Sequence, residues 1–490
     1  MAYSLPQEVR EIVEGLHREG YGAYPVGGCV RDLVIGRAPK DWDVTTDATP
    51  EEVQKIFPES VYENEFGTVG VKTGSDDATL TIVEVTTFRK EGRYSDKRHP
   101  DEVTFAKTID DDLSRRDFTV NALALNVAEE QEVIDPYGGR RDLKNKVIRA
   151  VGNPAERFKE DALRLVRAPR LVTELGIAEG WHIEDKTYAA IREHASLLRE
   201  IAVERVRDEL VRLMLGQDAA QGLRLLEELG LLQYIMPEVR EGIGIDQAKH
   251  HTFTVWEHGI RSLQYAAERG FSLTVRMSAL LHDVGKPRTK AGEGEAATFY
   301  NHEIVGARMT RELLTRLAFP KQFVQDVAHL VRYHLFYYNV GEVTEAGVRR
   351  FVRRAGVEYI DDLLRLREAD RIGSGVPKAF PYKLRHLLYM IEKVRRDPLS
   401  VKALAVDGEA VMKTVGLVPG PRVGWILNAL MEEVLDAPEK NTEELLTKRM
   451  KALAKLSDEE LQEKGEKGKR QMEEFERGVE AEIKGKYRVG

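Results

Sequence analysis

Two aspartates stand two residues apart in the segment KDWDV, residues 40–44. If this segment is a strand, Asp41 and Asp43 project from the same face, because side chains alternate along a strand. Two carboxylates at such a short separation raise each other's pKa, and a divalent cation such as Mg²⁺ relieves the repulsion between them. An isolated Asp-x-Asp is more often a solvated turn, so the chemistry depends on what surrounds the pair.

Two nearby features favour a phosphate-handling site. Gly27 and Gly28 stand before a predicted helix, where glycines let the backbone approach a phosphate and the helix N-terminus attracts anions. Arg31 adds positive charge, and Glu84, within the predicted strand 79–88, is a third carboxylate able to face the pair. The set predicts two-metal phosphoryl transfer, in which one ion activates the attacking oxygen and the other stabilises the leaving pyrophosphate.

A second group of potential metal ligands occurs in residues 250–375. Its members are His258, His282, Asp283, His302, His334 and Asp370. A single buried histidine is usually a satisfied core residue, but six such side chains spread over several predicted helices indicate a site. Their order resembles the H…HD…H…H…D pattern of HD-superfamily phosphohydrolases, which implies a transition metal (Mn, Ni, Co or Fe) and hydrolysis of a phosphate ester by bound water. A vestigial domain that helps to hold RNA is the alternative.

The composition constrains these interpretations. A chain of 490 residues that is 42% hydrophobic can form several domains. Cys29 is the only cysteine, which excludes an intramolecular disulfide and favours a reducing, cytoplasmic setting. The N-terminal residues do not resemble a signal peptide, and without an apolar run of about 18 residues we expect no membrane span. The net charge of -8 requires any RNA-binding surface to be a local basic cluster.

The pattern changes along the chain from mixed α/β to nearly all helical. Segments 22–32, 79–88 and 122–128 each contain a predicted strand, and Thr49 begins a capping box that predicts a helix. Helical spacing then dominates segments 155–175, 186–215, 219–235 and 253–269. The predicted fold class is α+β, with a small mixed sheet and helices first and all-helical domains afterwards.

Several motifs in this order are similar to those of a known family. GGCVRDLVIGRAPKDWDVTTDATPEEV (27–53) resembles the signature of class II nucleotidyltransferases, the family of bacterial CCA-adding enzymes and poly(A) polymerases. SRRDFTVNAL (114–123) resembles its ribose-recognising motif and EDALR (160–164) its nucleotide-selecting EDxxR motif. DPYGGRRDL (135–143) is similar to the head–neck connector, and residues 419–446 resemble the tail of these enzymes.

The resemblance implies roles for particular residues. Asp41 and Asp43 are the catalytic Mg²⁺ ligands, assisted by Glu84, and Gly28 with Arg31 forms the phosphate cradle. The nucleotide-binding candidates are completed by Arg116, Asp117, Asn121, Asp161, Arg164, Arg167 and Arg170.

Hydrogen-bond complementarity explains how a protein could choose bases. Asp161 and Arg164 are three residues apart on a predicted helix, so we expect them on one face. Carboxylate only accepts and guanidinium only donates hydrogen bonds. Cytosine and adenine both place an amino donor beside a ring-nitrogen acceptor, whereas uracil and guanine present the reverse and would leave charged groups unpaired. A surface ion pair is the simpler interpretation of the two residues by themselves.

The resemblance also implies five domains and a function. The domains are a catalytic head (1–140), a nucleotide-selecting neck (141–215), a helical body (216–249), an HD domain (250–375) and a tRNA-contacting tail (376–490). We expect template-independent addition of C, C and A to tRNA from CTP and ATP, together with phosphohydrolase activity. We expect no membrane partner, and the oligomeric state stays open, a homodimer included.

Rival functions share some of these motifs. An A-adding enzyme or a poly(A) polymerase is the nearest alternative, while the polar segment 88–100 resembles a loop of enzymes that add the terminal A. A degenerate RNA-binding head attached to an active HD site is another, although its carboxylates are intact. A purely structural RNA chaperone is a third and would not need either carboxylate set.

Basic residues of the neck are the candidates for RNA contact. They are Arg140, Arg141, Arg199, Arg205, Arg207 and Arg212, together with Lys and Arg side chains of the tail. Contacts to phosphates predict that tRNA binding weakens steeply as salt rises.

Overall fold

The computed structural model describes residues 3–64, 67–91, 103–127, 132–247, 252–336, 338–377, 380–395 and 404–489. The chain forms two compact units. The first unit contains residues 1–334 and 362–377, and the second contains residues 335–361 and 378–490. These units are coarser than the five expected domains, whose borders remain predictions.

A five-stranded mixed sheet lies at the start of the first unit. Its strands are β1 (Ala23–Pro25), β2 (Asp43–Thr46), β3 (Ser60–Asn64), β4 (Thr68–Lys72) and β5 (Ile82–Thr87). They are ordered β1-β2-β5-β4-β3, and β2 and β5 are parallel while the other neighbours are antiparallel. Alternating buried valines of β4 and β5 form one face of the core. The expected small mixed sheet is confirmed.

Three short strand pairs accompany this sheet. They are β6 (Arg89–Glu91) with β7 (Val103–Phe105), β8 (Ala124–Asn126) with β9 (Glu132–Ile134), and β10 (Val147–Ile148) with β11 (His182–Ile183). The loop expected over 88–100 therefore begins as a strand, and its remainder from residue 92 lies outside the described residues.

Five helices surround the sheet. They are α1 (Gln7–Arg18), α2 (Gly28–Val34), α3 (Pro50–Ile56), α4 (Ile109–Ser114) and α5 (Gly139–Asn145). The capping box expected at Thr49 is present, since the Thr49 hydroxyl accepts from Glu52 N–H and the Glu52 carboxylate accepts from Thr49 N–H. Gly139 lets α5 approach the turn at Thr119, because a Cβ at residue 139 would lie 2.2 Å from the Thr119 carbonyl oxygen.

The rest of the first unit is almost entirely helical. Its helices are α6 (Pro154–Glu160), α7 (Arg164–Leu175), α8 (Asp185–His194), α9 (Val203–Leu215), α10 (Ala219–Glu228), α11 (Leu232–Ile235), α12 (Pro237–Arg240), α13 (Val255–Glu268), α14 (Leu273–Leu281), α15 (Lys286–Thr289), α16 (His302–Arg316), α17 (Lys321–Tyr333) and, from residue 362 onward, α19 (Ile360–Gly373). One apolar cluster runs from Leu5 to Val331, so the sheet shares a core with most of these helices, α15 and α19 excepted.

Among the described residues of the second unit, the regular secondary structure is helical. It contains α18 (Glu345–Ala355), α20 (Tyr382–Arg395), α21 (Gly408–Val415), α22 (Pro421–Asp436), α23 (Glu443–Leu453) and α24 (Asp458–Tyr487). A separate apolar cluster, which includes Ile426, Leu430 and Met450, holds α21 to α24 together. Across the described parts of both units, we find no helix with the length and apolar content that a bilayer span requires.

Candidate functional site

Asp43 and Glu84 are register partners across the parallel strands β2 and β5. Because aligned residues of neighbouring strands point to the same side of a sheet, the two carboxylates share a face. Asp43 is partly buried and Glu84 is exposed. The expectation that one strand carries both aspartates is wrong, since β2 begins at Asp43 and Asp41 lies in the preceding bend.

The environment of Asp43 makes ionisation of its carboxyl unfavourable. Burial raises the pKa of Asp43 to about 6; the positive charge of Arg116 opposes this shift, and the negative charge of Asp41 adds to it. Asp41 therefore lies close enough to interact although it is outside the strand. A bound cation would remove the penalty, which fits a metal-binding role for these residues.

The start of α2 lies beside Asp41. The Oδ1 atom of Asp41 is 4.0 Å from the position that a Cβ on Gly28 would take, so the first residue of the helix faces this carboxylate. Arg31 is buried, and its guanidinium donates to Asp32 at 2.8 Å and to the side-chain oxygen of Asn121 at 3.0 Å. Arg31 thus ties α2 to the turn that contains Asn121.

Arg116 is held next to the same loop by a buried aspartate. Asp112 is fully buried and accepts from Arg115 at 2.7 Å and from Arg116 at 3.2 Å. Gly27 has a φ of +82°, and a Cβ there would lie 2.8 Å from Nη1 of Arg116. Only glycine suits this position, and the close approach brings the guanidinium near Asp43.

Asp117 joins the segment SRRDFTVNAL (114–123) to α7. Its Oδ1 accepts from the N–H of Phe118 at 2.7 Å and from the Asn121 amide at 3.2 Å, while its Oδ2 lies 2.8 Å from Nη2 of Arg167. Burial raises the pKa of Asp117, but the charges of Arg167 and Arg164 outweigh burial and the net shift is downward. Asp117 is therefore an ionised acceptor at neutral pH.

The motif EDALR (160–164) does not form one continuous helix. Asp161 is the residue after α6 and has extended backbone angles, while Arg164 begins α7. The expectation that both residues share one helix face is therefore wrong. Asp161 instead accepts from Arg205 of α9 at 3.0 and 3.3 Å, and its Oδ1 also accepts from the N–H of Leu163 at 3.0 Å.

The two remaining arginines of this motif region are buried and paired. Arg164 donates to Glu160 at 2.9 Å and to the carbonyl oxygen of Arg115 at 2.8 Å, so it connects the neck to the ribose motif. Arg170 donates to Glu209 at 2.8 Å and to a second neck carboxylate at 2.6 Å. Arg170 thus braces α7 within the neck.

The second site brings all six expected side chains together within the first unit. The Nε2 atom of His258 lies 2.8 Å from Nε2 of His282 and 3.3 Å from both Asp283 and Asp370. His302 Nε2 is 3.3 Å from the other oxygen of Asp283. Candidate ligand atoms of His258, His282 and Asp283 lie within 4.8 Å of one another, and the same holds for Asp283, His302 and His334.

Three of these histidines are oriented by the backbone. In each, Nδ1 lies beside the carbonyl oxygen three residues earlier: His282 with Ala279 at 2.9 Å, His302 with Phe299 at 2.7 Å and His334 with Val331 at 2.7 Å. This interaction directs Nε2 toward the centre, as in metal-ligating histidines. The Nε2 atom of His302 is buried and makes no hydrogen bond within the described chain. The residues present therefore fit a metal ion.

The electrostatics of this centre agree with that fit. Burial lowers the pKa of His258, but hydrogen bonds with Asp283 and Asp370 outweigh burial and raise it to about 9. Burial and the neighbouring His282 lower the pKa of His334 to about 3, so that imidazole is neutral and has a lone pair to donate. A cation at the centre would replace the proton on His258.

Three features of these two sites are absent from the sequence-based expectations. They are the pairing of Asp112 with two arginines, the pairing of Asp161 with Arg205, and the buried Lys286. Nζ of Lys286 lies 2.7 Å from Asp283. The i,i+3 and i,i+4 spacings of Asp112 and Lys286 could have revealed both local pairs, but nothing in the sequence links residues 161 and 205.

Three families match successive parts of the chain. Residues 23–149 match the poly(A) polymerase head domain, residues 180–242 match the probable RNA- and SrmB-binding site of polymerase A, and residues 250–373 match the HD domain.

Relatives extend this similarity over most of the chain. An A-adding tRNA nucleotidyltransferase from Deinococcus radiodurans is 40% identical over 68% of this chain and 76% of its own length. A CCA-adding enzyme from Limosilactobacillus reuteri is 31% identical over 92% of this chain and 97% of its own length. The crystal structure of the Bacillus stearothermophilus CCA-adding enzyme in complex with CTP superposes with a TM-score of 0.58 at 30% identity, covering 91% of this chain and 97% of that one.

Proposed function

The chain belongs to the family of tRNA nucleotidyltransferases that includes the CCA-adding and A-adding enzymes, and from that premise we propose that it adds C, C and A to the 3′ end of tRNA from CTP and ATP. The alignment of Asp43 with Glu84, beside Asp41 and the start of α2, carries this proposal. It supplies the acidic set that template-independent nucleotidyl transfer requires. The solved structure of a CCA-adding enzyme in complex with CTP supports the choice of substrate.

The three carboxylates would hold Mg²⁺. When bound, Mg²⁺ polarises the α-phosphate and lowers the pKa of the attacking 3′-hydroxyl. Gly28 allows the triphosphate to approach the backbone at the start of α2. Arg116, fixed by Asp112, places positive charge beside Asp43 and the phosphates.

The ribose and the base of the nucleotide would contact side chains between the segment 114–123 and α7. Asp117 and Asn121 offer a carboxylate and an amide to the ribose, with Arg167 as their anchor. Asp161 keeps part of its carboxylate exposed and can accept from the amino group that cytosine and adenine share. Arg164 supports that end of α6, and Arg170 braces the helix behind it.

The test is nucleotide incorporation into tRNA transcripts that end before CC, after C or after CC, with each nucleotide supplied separately. CCA addition predicts C on the first two transcripts and A on the third. D41A and D43A should abolish incorporation, and E84A should reduce it strongly, while tRNA affinity changes little. Asp76 is an exposed aspartate of the same region, so D76A is the matched control. Substantial incorporation by D43A would reject the assignment.

Addition of the terminal A alone is the closest alternative, because the 40% identical relative is named an A-adding enzyme. The same transcripts separate the two activities. An enzyme that extends only the transcript ending in CC is A-adding, and one that adds a run of A residues to any 3′ end is a poly(A) polymerase.

The six-residue centre supports a second activity. We propose a metal-dependent phosphohydrolase that uses Mn, Ni, Co or Fe, because four imidazoles and two carboxylates converge on one buried point. Asp283 contacts both groups of ligands and would anchor the metal. The ion supplies an activated water, and Lys286 adds positive charge for a phosphate.

Hydrolysis of a 2′,3′-cyclic nucleotide with Mn²⁺, Ni²⁺ or Co²⁺ tests this activity. D283N should abolish hydrolysis and leave CTP incorporation intact. H334Q provides a second variant if D283N folds poorly, since His334 lies at the end of α17. If the wild-type protein hydrolyses no cyclic nucleotide with any of the three metals, the phosphohydrolase activity is rejected. The result would favour a domain that only holds RNA.

A further inference from the structure

Helix α18 in the second unit presents a dense row of arginines to solvent. The four exposed side chains are Arg349, Arg350, Arg353 and Arg354, which we call the arginine face. They occupy two adjacent i,i+4 rows and therefore lie on neighbouring turns of one helix. The chain as a whole has a net charge of -8, so this concentration of positive charge is a local exception.

The opposite side of α18 fixes the helix in place. Val348, Val352 and Ala355 are buried, and the ring of Phe351 packs on Phe336 with centroids 5.0 Å apart. The hydroxyl of Thr344 caps the first turn by accepting from a backbone N–H at 3.2 Å. The arginines are thus displayed by a rigid element and not by a loop.

Ion pairing of this face differs from one arginine to another. Glu345 lies 3.6 Å from Arg349, but it is closer to Lys393, at 2.9 Å. Within the described residues, Arg350, Arg353 and Arg354 form no ion pair. Like charges at i,i+4 destabilise a helix, and the helix C-terminus can stabilise only the last turn. Helix stability therefore does not account for Arg350, which precedes the last turn and lies four residues before Arg354.

We infer that the arginine face binds the phosphate backbone of RNA. Guanidinium groups match phosphate oxygens in a two-point geometry, and a row of them neutralises successive phosphates without reading sequence. The identification of that RNA as tRNA rests on the proposed function. The match between guanidinium groups and a phosphate backbone does not depend on that function. The face would add to the affinity for RNA that the proposed active site provides.

The test compares two triple variants of the full-length protein. R350Q/R353Q/R354Q removes three charges of the arginine face, and glutamine has a similar helix propensity. R308Q/R311Q/K321Q removes three exposed charges from α16 and α17 and is the matched control. The measurement is the Kd for tRNA at several salt concentrations, with CTP incorporation at saturating tRNA as the test of folding.

We expect the α18 variant to bind tRNA at least about tenfold more weakly and to flatten the slope of log Kd against log salt by about 2 to 3. The control should change Kd less than about twofold. Equal effects of both variants, or an unchanged Kd and slope, would overturn the inference. If tRNA binding is unchanged but the α18 variant sediments differently from the wild type, the face is an interface between copies of this chain and the inference is overturned too. If the wild-type protein incorporates no nucleotide but the α18 variant still loses RNA affinity, the proposed function fails and the RNA surface stands.

Discussion

Arg205 donates two hydrogen bonds, at 3.0 and 3.3 Å, to the carboxylate of Asp161, the residue proposed to select the base. The pair joins the end of α6 to α9 across 44 residues of sequence. A carboxylate has about four acceptor sites, so Asp161 can keep Arg205 and still accept from an amino group. We therefore propose Arg205 as a positioning residue for Asp161.

Replacement of Arg205 should therefore reduce the preference of the protein for CTP over UTP. We expect R205Q to lower kcat/KM for CTP by about tenfold while incorporation of UTP changes little, since a loosened carboxylate loses the geometry that binds the amino group of the correct base and uracil never makes that contact. Single-nucleotide kinetics at saturating tRNA measure the ratio. R192Q removes another exposed arginine of the neck as a control. An equal fall for CTP and UTP would indicate a merely structural role.

The raised pKa of Asp43 predicts a pH-dependent loss of stability in the metal-free protein. The carboxyl binds its proton more tightly when folded, at a pKa of about 6 against 3.8, so stability falls as pH rises between those values. D43N removes this loss and should be more stable than the wild type by about 1–3 kcal/mol above pH 7. Urea unfolding in EDTA at pH 5 and pH 8 measures the difference. D76N, at an exposed aspartate of the same region, is the control.

Asp112 should be a major stabilising residue of the head. It is fully buried between Arg115 and Arg116, and removal of one partner of a buried ion pair typically costs about 3–5 kcal/mol. Its folded pKa is lowered, because the two arginines outweigh burial, so its contribution is present above pH 4 and is lost as pH falls through the folded value. Denaturant unfolding of D112N at pH 7 tests this expectation. The exposed Asp110 on the same helix gives the control D110N.

Metal binding at the six-residue centre should stabilise the first unit. A ligand that binds only the folded state stabilises it by about 2.7 kcal/mol at a hundredfold excess over Kd. We expect Mn²⁺ or Co²⁺ to raise the Tm by several degrees in the wild type and by much less in H302Q, which removes an inward-facing nitrogen. Equal Tm shifts in both proteins would contradict the proposed ligand set.

Local pattern was sufficient for several elements. The capping box at Thr49, the Gly27–Gly28 turn into α2 and the strand that contains Glu84 follow from propensities and spacing within a few residues, and each is present. The pattern was not sufficient at residues 161–164, where a continuous helix was expected. There Asp161 adopts extended angles, and its contacts with Arg205 and Leu163 N–H replace the helix.

The sequence by itself determined the chemistry available to this protein: three head carboxylates, a glycine turn and six HD-type ligands follow from residue type and order. Only the tertiary structure decided which of those groups meet. The alignment of Asp43 with Glu84 comes from a parallel pairing of strands separated by two others in sequence, and the convergence of His258 with Asp370 depends on how α13 and α19 pack. These contacts join residues that are far apart in the sequence, and they form when helices and strands bury apolar surface against one another. The spacing of neighbouring residues does not encode them.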